Sequence, residues 1–373
     1  MKRIVVCCDG TWNDRGAGMI TNVARLAQAV LPSAPGVTVE GEPPAPPIEQ
    51  LVYYHAGVGN EWSIVSKITG GAFGRGLTGT VLDAYRFVVD NYAPGPDGTG
   101  EGGDEIYLFG FSRGAFTARS ISGLIRKAGL LKKEYSHHGE EAFDIYRLRS
   151  RREDEAKPDA PGNVDGPEAT AFRAGSCWPK VNPYFIGVWD TVGALGVPSQ
   201  GWGPGRLARS KFGFHDQRLS RHVPYAYHAL AIDEQRRAFI PTLWEVQPEA
   251  KQKVEQRWFA GVHSDVGGAY PETGLSDIAF CWMRDKAAAA GLAFDPSYGV
   301  AGGDRRRVVV APDPNGTLHN SLSLVFRLLR PYQRQLNHVD ATQSVAPEAL
   351  ARRDDPTMHY DPANLREYLA RSG

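Results

Sequence analysis

Ile106-Tyr107-Leu108-Phe109-Gly110-Phe111-Ser112-Arg113-Gly114-Ala115-Phe116 is the stretch on which the reading of this 373-residue chain turns. Its first four residues form an apolar run without polar alternation, as expected of a strand buried on both faces. Ala115 to Ile121 then open an amphipathic helical pattern. Between the two lies a Gly-x-Ser-x-Gly match. In a chain with 42 glycines such a match alone carries little weight; its strand–turn–helix setting is what gives it meaning. A turn this sharp strains the serine backbone and leaves no room for bulk at its flanks, which accounts for Gly110 and Gly114. Ser112 is then lifted to the mouth of a sheet. The first free N–H groups of the helix, that of Arg113 foremost, point into the same space and make half an oxyanion hole. A glycine-tightened turn with an ordinary capping serine is the plainer alternative.

Outward from this stretch, similar apolar runs occur at Arg3 to Cys8, Leu51 to His55, Pro183 to Trp189 and Gln256 to Val262. Helical patterns cover Asn22 to Val30, Thr78 to Tyr92, Arg113 to Ala128 and Leu275 to Ala290. Alternation of this kind predicts an α/β fold, a mostly parallel sheet sandwiched between helical layers. The length suits one domain over residues 1–373 with insertions. Pro43 to Pro47 and Tyr92 to Asp104 read as surface loops. The charged segment from about 132 to 180 has little β character and is expected to be a cap-like insertion. The polar tail from about 332 to 373 is expected to pack on the surface. No internal repeat is present.

The 42 Lys and Arg balance 42 Asp and Glu, so nothing favours nucleic acid as a partner. The apolar run after Lys2-Arg3 is too short for a signal peptide, and no apolar stretch is long enough to span a membrane. A cytoplasmic protein is expected, with export by a machine that uses no cleavable signal left open. The 4 cysteines, Cys7, Cys8, Cys177 and Cys281, have neither metal-ligand spacing nor a disulfide pattern and read as buried thiols.

A serine hydroxyl at this position needs a base, and the base needs a carboxylate to orient it. Of the 10 histidines, His263 stands just beyond the strand pattern ending at Val262, at a carboxyl edge where α/β sheets build sites. His137 and His138 fall in the charged insertion, and His228 falls in a helix-like stretch. Asp190 ends the run Tyr184 to Trp189 at another carboxyl edge and completes the order Ser, Asp, His. Asp265 and Asp277 are its rivals. Gly10 and Thr11, after the first strand, are the candidates for the second oxyanion donor, with Asp9 anchoring their loop. Arg113 puts a cation in the first turn of a helix, against the dipole. Asp9 or an anionic substrate group would compensate it, and a solvated arginine is the alternative.

Two further motifs lead nowhere. Val5-Val6-Cys7-Cys8-Asp9-Gly10-Thr11 is like the loop of aspartyl-phosphate phosphatases, but Cys7 stands where the nucleophilic carboxylate is needed, so both the magnesium site and the phosphoaspartate fail. Gly74-Arg75-Gly76-Leu77-Thr78-Gly79 fits a dinucleotide fingerprint by letter only, with no strand before it. It reads as a glycine-rich loop that opens a helix and borders the pocket. No cofactor and no metal are expected.

Cys8-Asp9-Gly10-Thr11-Trp12-Asn13, Gly57-Val58-Gly59, Gly110-Phe111-Ser112-Arg113-Gly114-Ala115, Trp189-Asp190-Thr191-Val192-Gly193 and Gly261-Val262-His263-Ser264-Asp265-Val266-Gly267-Gly268 occur in this order. Together they resemble the α/β-hydrolase domain family to which the class-one lipase effectors of type VI secretion belong. The resemblance implies an α/β-hydrolase core and cleavage of phospholipid acyl esters, with Ser112 as nucleophile and His263 as its histidine. Asp190 is assigned as the acid from its strand position. The expected partners are an ester or phospholipid substrate and, transiently, a membrane surface. A binding module without catalysis and an acyltransferase with the same three residues are the competing readings.

Overall fold

A strand with neighbours on both edges and helices on both faces has no side left for water, and β1 (Arg3–Cys8) is buried at all of its residues. The computed structural model describes residues 1–10, 20–36, 45–57, 72–148, 166–193, 219–245, 251–301, 309–322 and 331–372. The strands that follow β1 are β2 (Ser33–Ala34), β3 (Ile48–His55), β4 (Glu105–Phe111), β5 (Leu130–Leu131), β6 (Cys177–Trp178), β7 (Phe185–Trp189), β8 (Tyr225–Ala231), β9 (Lys253–Phe259) and β10 (Gln343–Val345). Eight of them form one sheet in the order β10-β9-β8-β7-β4-β1-β3-β2. Every pairing in it is parallel except that of β2 with β3. This is the α/β-hydrolase-like sheet that the apolar runs predict.

The described helices are α1 (Asn22–Ala29), α2 (Ala72–Asn91), α3 (Arg113–Ala128), α4 (Gly139–Arg147), α5 (Pro167–Ser176), α6 (His263–Gly267), α7 (Gly274–Ala289), α8 (Pro347–Asp354) and α9 (Ala363–Ser372). They divide between the two faces of the sheet. Ile4, Val6, Ile106 and Leu108 pack with residues of α2, α3, α4 and α5. Val5, Cys7, Tyr107 and Phe109 pack with residues of α1 and α7 and with Ala346, Ala349 and Leu365 of the tail. Alternate residues of one strand thus serve two cores, which is why the runs carry no polar period.

The chain moves from β1 to β3 on one side and then to β4 on the other. Such a reversal opens a crevice at the carboxyl ends of the strands. Cys8 lies opposite Gly110 in the register, so the residues that follow β1 and β4 meet at this crevice. Helix α3 must pass close to β1 to fill it. A Cβ built on Gly114 would lie 2.0 Å from the Cys8 carbonyl oxygen, so only glycine permits this approach.

Several expectations change. Gly74, Gly76 and Gly79 lie inside α2, not in a loop that opens it. A Cβ at Gly76 or Gly79 would meet nothing, and these glycines satisfy no backbone demand visible among the described residues. His228 lies on β8, between β7 and β9, and not on a helix. The tail contributes β10 to the sheet, and Ala346 and Leu365 are fully buried. The segment 132–180 is described at 132–148 and 166–180. Leu130 pairs with Trp178 and Leu131 with Cys177, and the Lys180 N–H donates to the Thr99 carbonyl, upstream of β4. The segment therefore leaves and rejoins the core at the amino edge of the sheet, away from Ser112.

Replacing Gly114 with Ala tests the clamp between α3 and β1. Helix propensity alone would favour Ala by about 1 kcal/mol, but overpacking against a backbone carbonyl outweighs it. We expect a net loss of about 2 kcal/mol or more, read as a lower urea midpoint. An unchanged or raised midpoint would contradict the close approach.

Candidate active site

Ser112 follows β4, Asp190 follows β7 and His263 opens the short helix after β9. Phe111 and Trp189 are directly paired on adjacent strands, and the Ser112 N–H donates to the Trp189 carbonyl at 3.0 Å. The strand register thus places Ser112 beside Asp190. Ser112 has φ 57° and ψ −118°, and its side chain makes no capping hydrogen bond. An ordinary N-cap serine is extended and bonds the first turn, so the capping alternative does not hold. The strained turn is the one the motif predicts. A Cβ on Gly10 would lie 3.4 Å from Ser112 Cβ, which places the end of β1 against the serine.

Asp190 is also at positive φ, 41°, and it is fully buried. Its Oδ2 and His263 Nδ1 are 2.5 Å apart. Its Oδ1 accepts the Ala231 N–H at 3.1 Å. Arg334 clasps both oxygens, with Nη1 to Oδ1 at 2.6 Å and Nη2 to Oδ2 at 2.9 Å. Burial alone would push this carboxyl up, but the Arg334 guanidinium and the hydrogen bond with His263 outweigh it and hold the group well below the usual carboxylate range. Asp190 is an anion, so His263 Nδ1 carries the shared hydrogen.

His263 is itself buried. Phe111 lies over its ring at 4.6 Å between centroids and Phe239 meets it edge-on at 4.9 Å. Glycine at position 267 makes room for Phe111, whose ring a Cβ there would overlap at 1.9 Å. The backbone N–H of His263 donates to Glu234 at 3.2 Å. Glu234 also takes the Arg236 guanidinium and the Ser321 hydroxyl. Burial would raise Glu234, yet Arg236 lowers it to about 2, so this brace is a fixed anion. Burial pushes the His263 imidazole down despite Asp190. Its Nε2 is buried and, among the described residues, has no hydrogen-bond partner, the Ser112 hydroxyl included. A neutral imidazole with Nδ1 occupied and Nε2 bare is a base awaiting a proton.

Of the rival acids, Asp265 bonds His319 Nδ1 at 2.6 Å and the Val262 N–H at 3.0 Å. Asp277 pairs with Arg25 at 2.6 Å. Neither is shown bonding His263. Asp9 accepts from the Gly10 N–H, the Thr21 hydroxyl and the Tyr54 hydroxyl. The Gly10 N–H is therefore engaged by the Asp9 side chain at 2.7 Å, where the sequence reading expects it to be a free donor. Thr11, Trp12, Asn13, Val58 and Gly59 lie outside the described residues. Burial lowers the Arg113 guanidinium to about 10, which argues against a solvated surface arginine.

Sequence reasoning missed Arg334, Glu234 and Phe239. Nothing in the tail marks Arg334; only the rule that a buried carboxylate needs a cationic or multiple donor partner could have asked for it. No cluster of metal-ligating side chains occurs among the described residues.

Residues 2–286 match the family described as the catalytic domain of the Tle1-like phospholipase effectors of type VI secretion. A protein of Saccharomyces cerevisiae is 26% identical over 251 residues, 64% of this chain and 32% of that protein. Among solved structures, an uncharacterized protein from Pseudomonas aeruginosa is 18% identical with a TM-score of 0.43, over 84% of this chain and 49% of its own. A Tle1 effector bound to the VgrG spike of the type VI secretion system is 16% identical with a TM-score of 0.39, over 74% and 52%. The chain thus spans about half the length of these two structures and about a third of the yeast protein.

His228 pins the loop that carries Asp190, because its Nε2 accepts the Thr191 N–H at 3.1 Å. Burial, aided by the Arg119 charge, lowers this histidine to about 3. The unfolded chain binds a proton here near pH 6.5 and the folded one does not. The contribution is therefore fully present above about pH 6.5 and is lost as pH falls towards 3. Between pH 7 and pH 5 the wild type should lose about 2 kcal/mol from this site. Its urea midpoint should fall accordingly, and His228→Gln, which keeps an acceptor without titrating, should show a smaller fall. Equal falls in both proteins would contradict the assignment.

Proposed function

The chain belongs to the family of Tle1-like phospholipase effector catalytic domains of type VI secretion, and from that premise we propose that it hydrolyses carboxylic esters, phospholipid acyl esters foremost. Ser112 is the nucleophile, His263 the general base and Asp190 the carboxylate that orients it. The observation that carries this reading is the buried, unpartnered Nε2 of His263, whose Nδ1 is held by Asp190 beside a strained Ser112.

His263 Nε2 takes the hydroxyl proton as Ser112 Oγ forms a bond to the ester carbonyl carbon, giving a tetrahedral oxyanion. The Arg113 N–H at the start of α3 is one donor to that oxygen, and the segment after Gly10, with Thr11, is assigned the second. Collapse breaks the bond to the alcohol oxygen, which leaves with the proton from Nε2. Water, deprotonated by the same nitrogen, then attacks the acyl-enzyme and frees the acid and Ser112. Asp190 stays ionised throughout and steadies the imidazolium. The rings of Phe111 and Phe239 pack on His263 and keep water from it.

A phospholipid substrate brings with it transient contact with a lipid surface. No helix among the described residues is long and apolar enough to cross a membrane. Membership in an effector family supports export by the type VI machinery.

A fluorophosphonate probe should label the wild-type protein and leave Ser112→Ala unlabelled. Labelling that survives the substitution would remove Ser112 as nucleophile. On a panel of short-chain, long-chain and phospholipid esters, His263→Ala should lower kcat by about three orders of magnitude or more; near-normal turnover would remove the base.

A further inference from the structure

The match to the catalytic-domain family ends at residue 286, yet the carboxylate beside His263 is clasped by Arg334. We propose that Arg334, delivered by the C-terminal segment, is a positioning residue that sets where the proton of the Asp190–His263 pair resides and so keeps His263 Nε2 free to act. The inference rests on the reading of His263 as base, and it adds a residue that lies beyond the matched stretch.

The geometry is that of a built clasp. Nη1 and Nη2 of Arg334 take one Asp190 oxygen each, at 2.6 and 2.9 Å. Their remaining hydrogens go to the carbonyls of Ala231 and Phe239, at 2.8 and 2.6 Å. One of these carbonyls ends β8, the strand beside Asp190, and the other belongs to the aromatic that meets the His263 ring. The guanidinium is 1% exposed and Asp190 is 0% exposed. A planar fork with four fixed acceptors holds one orientation of the carboxylate, and with it one orientation of the imidazole.

The chemical effect follows from the proton count. With Asp190 ionised, the resting pair holds a single shared hydrogen on Nδ1, and Nε2 has its lone pair. One more proton yields either imidazolium beside carboxylate or carboxylic acid beside the other imidazole tautomer. Both forms have Nε2 protonated and cannot accept from Ser112. Arg334 disfavours that added proton by placing a positive charge against the pair. Other charged or titratable groups around it include Arg236 and Glu234, which both act on His263, the neutral His228, and Asp233, which burial raises to about 6 and which accepts the Gly261 N–H two residues before His263. Without Arg334 the anion of Asp190 keeps only His263 and the Ala231 N–H, and the pair holds the extra proton to higher pH.

The test uses the full chain and two readouts. NMR titration of labelled His263 follows the proton whether or not the protein turns over, and the pH profile of kcat/KM is normalised to the fraction labelled by the fluorophosphonate. In Arg334→Met the His263 titration and the acid limb of the profile should both move up by about one pH unit or more. Below the wild-type acid limb activity should drop about tenfold, the ratio that a one-unit shift gives there, and it should recover to within a few-fold of wild type near pH 9. Arg334→Lys, which keeps the charge, should titrate close to wild type. A titration in Arg334→Met that superimposes on wild type, or a loss of activity that is the same at every pH, overturns the proposal. Should Arg334→Met not fold, Arg334→Met combined with Asp190→Asn decides the matter. A folded double variant traces the failure to the unpaired buried carboxylate and supports the pairing, and an unfolded one overturns it. A wild type that the probe leaves unlabelled, together with an Arg334→Met titration that still shifts, would sink the esterase reading and leave standing only the control of the pair's proton by Arg334.

Discussion

A carboxylate removed wholly from water costs several kcal/mol unless charge and hydrogen bonds replace the solvent it has lost. Asp190 is in that position, and the groups that satisfy it come from widely separated parts of the chain. The Ala231 amide ends β8, the His263 ring follows β9 and the Arg334 guanidinium belongs to the C-terminal segment. Satisfying one anion therefore fixes three segments relative to β7. Ser112 joins the same framework through its amide, which bonds the Trp189 carbonyl one residue before Asp190. The left-handed backbone at both Ser112 and Asp190 is held by these contacts.

The parts of this arrangement that follow from local chemistry are legible in the sequence. The runs Arg3 to Cys8 and Glu105 to Phe109 lack polar alternation because each strand faces two cores, and the strands appear where the runs do. The strained turn at Ser112 needs glycine on either side, and the chain has it. Asp190 and His263 end or follow strands whose apolar character marks them, and the structure joins them by a hydrogen bond. The stretch around His228 reads as helical because alanine, leucine and aromatic residues suit a helix as well as a strand; only packing between β7 and β9 settles the choice.

What could not be read depends on contacts distant along the chain. Arg334 is one arginine in a polar tail, and its meaning arises 144 positions away. The Gly10 N–H looked available because the sequence does not say which way the Asp9 side chain turns. It turns back and takes that N–H itself. The glycines of 74–79 suggested a loop by composition, but the helix of which they are part runs through them.

Ester hydrolysis through Ser112 requires a covalent acyl bond at its Oγ. The most direct measurement is peptide mass spectrometry of the protein quenched at short times during turnover of an activated ester. The expected result is the mass of the acyl group on the peptide that contains Ser112, appearing before steady state and disappearing as substrate is exhausted. Steady turnover with Ser112 unmodified, or with the acyl group on another residue, would contradict it.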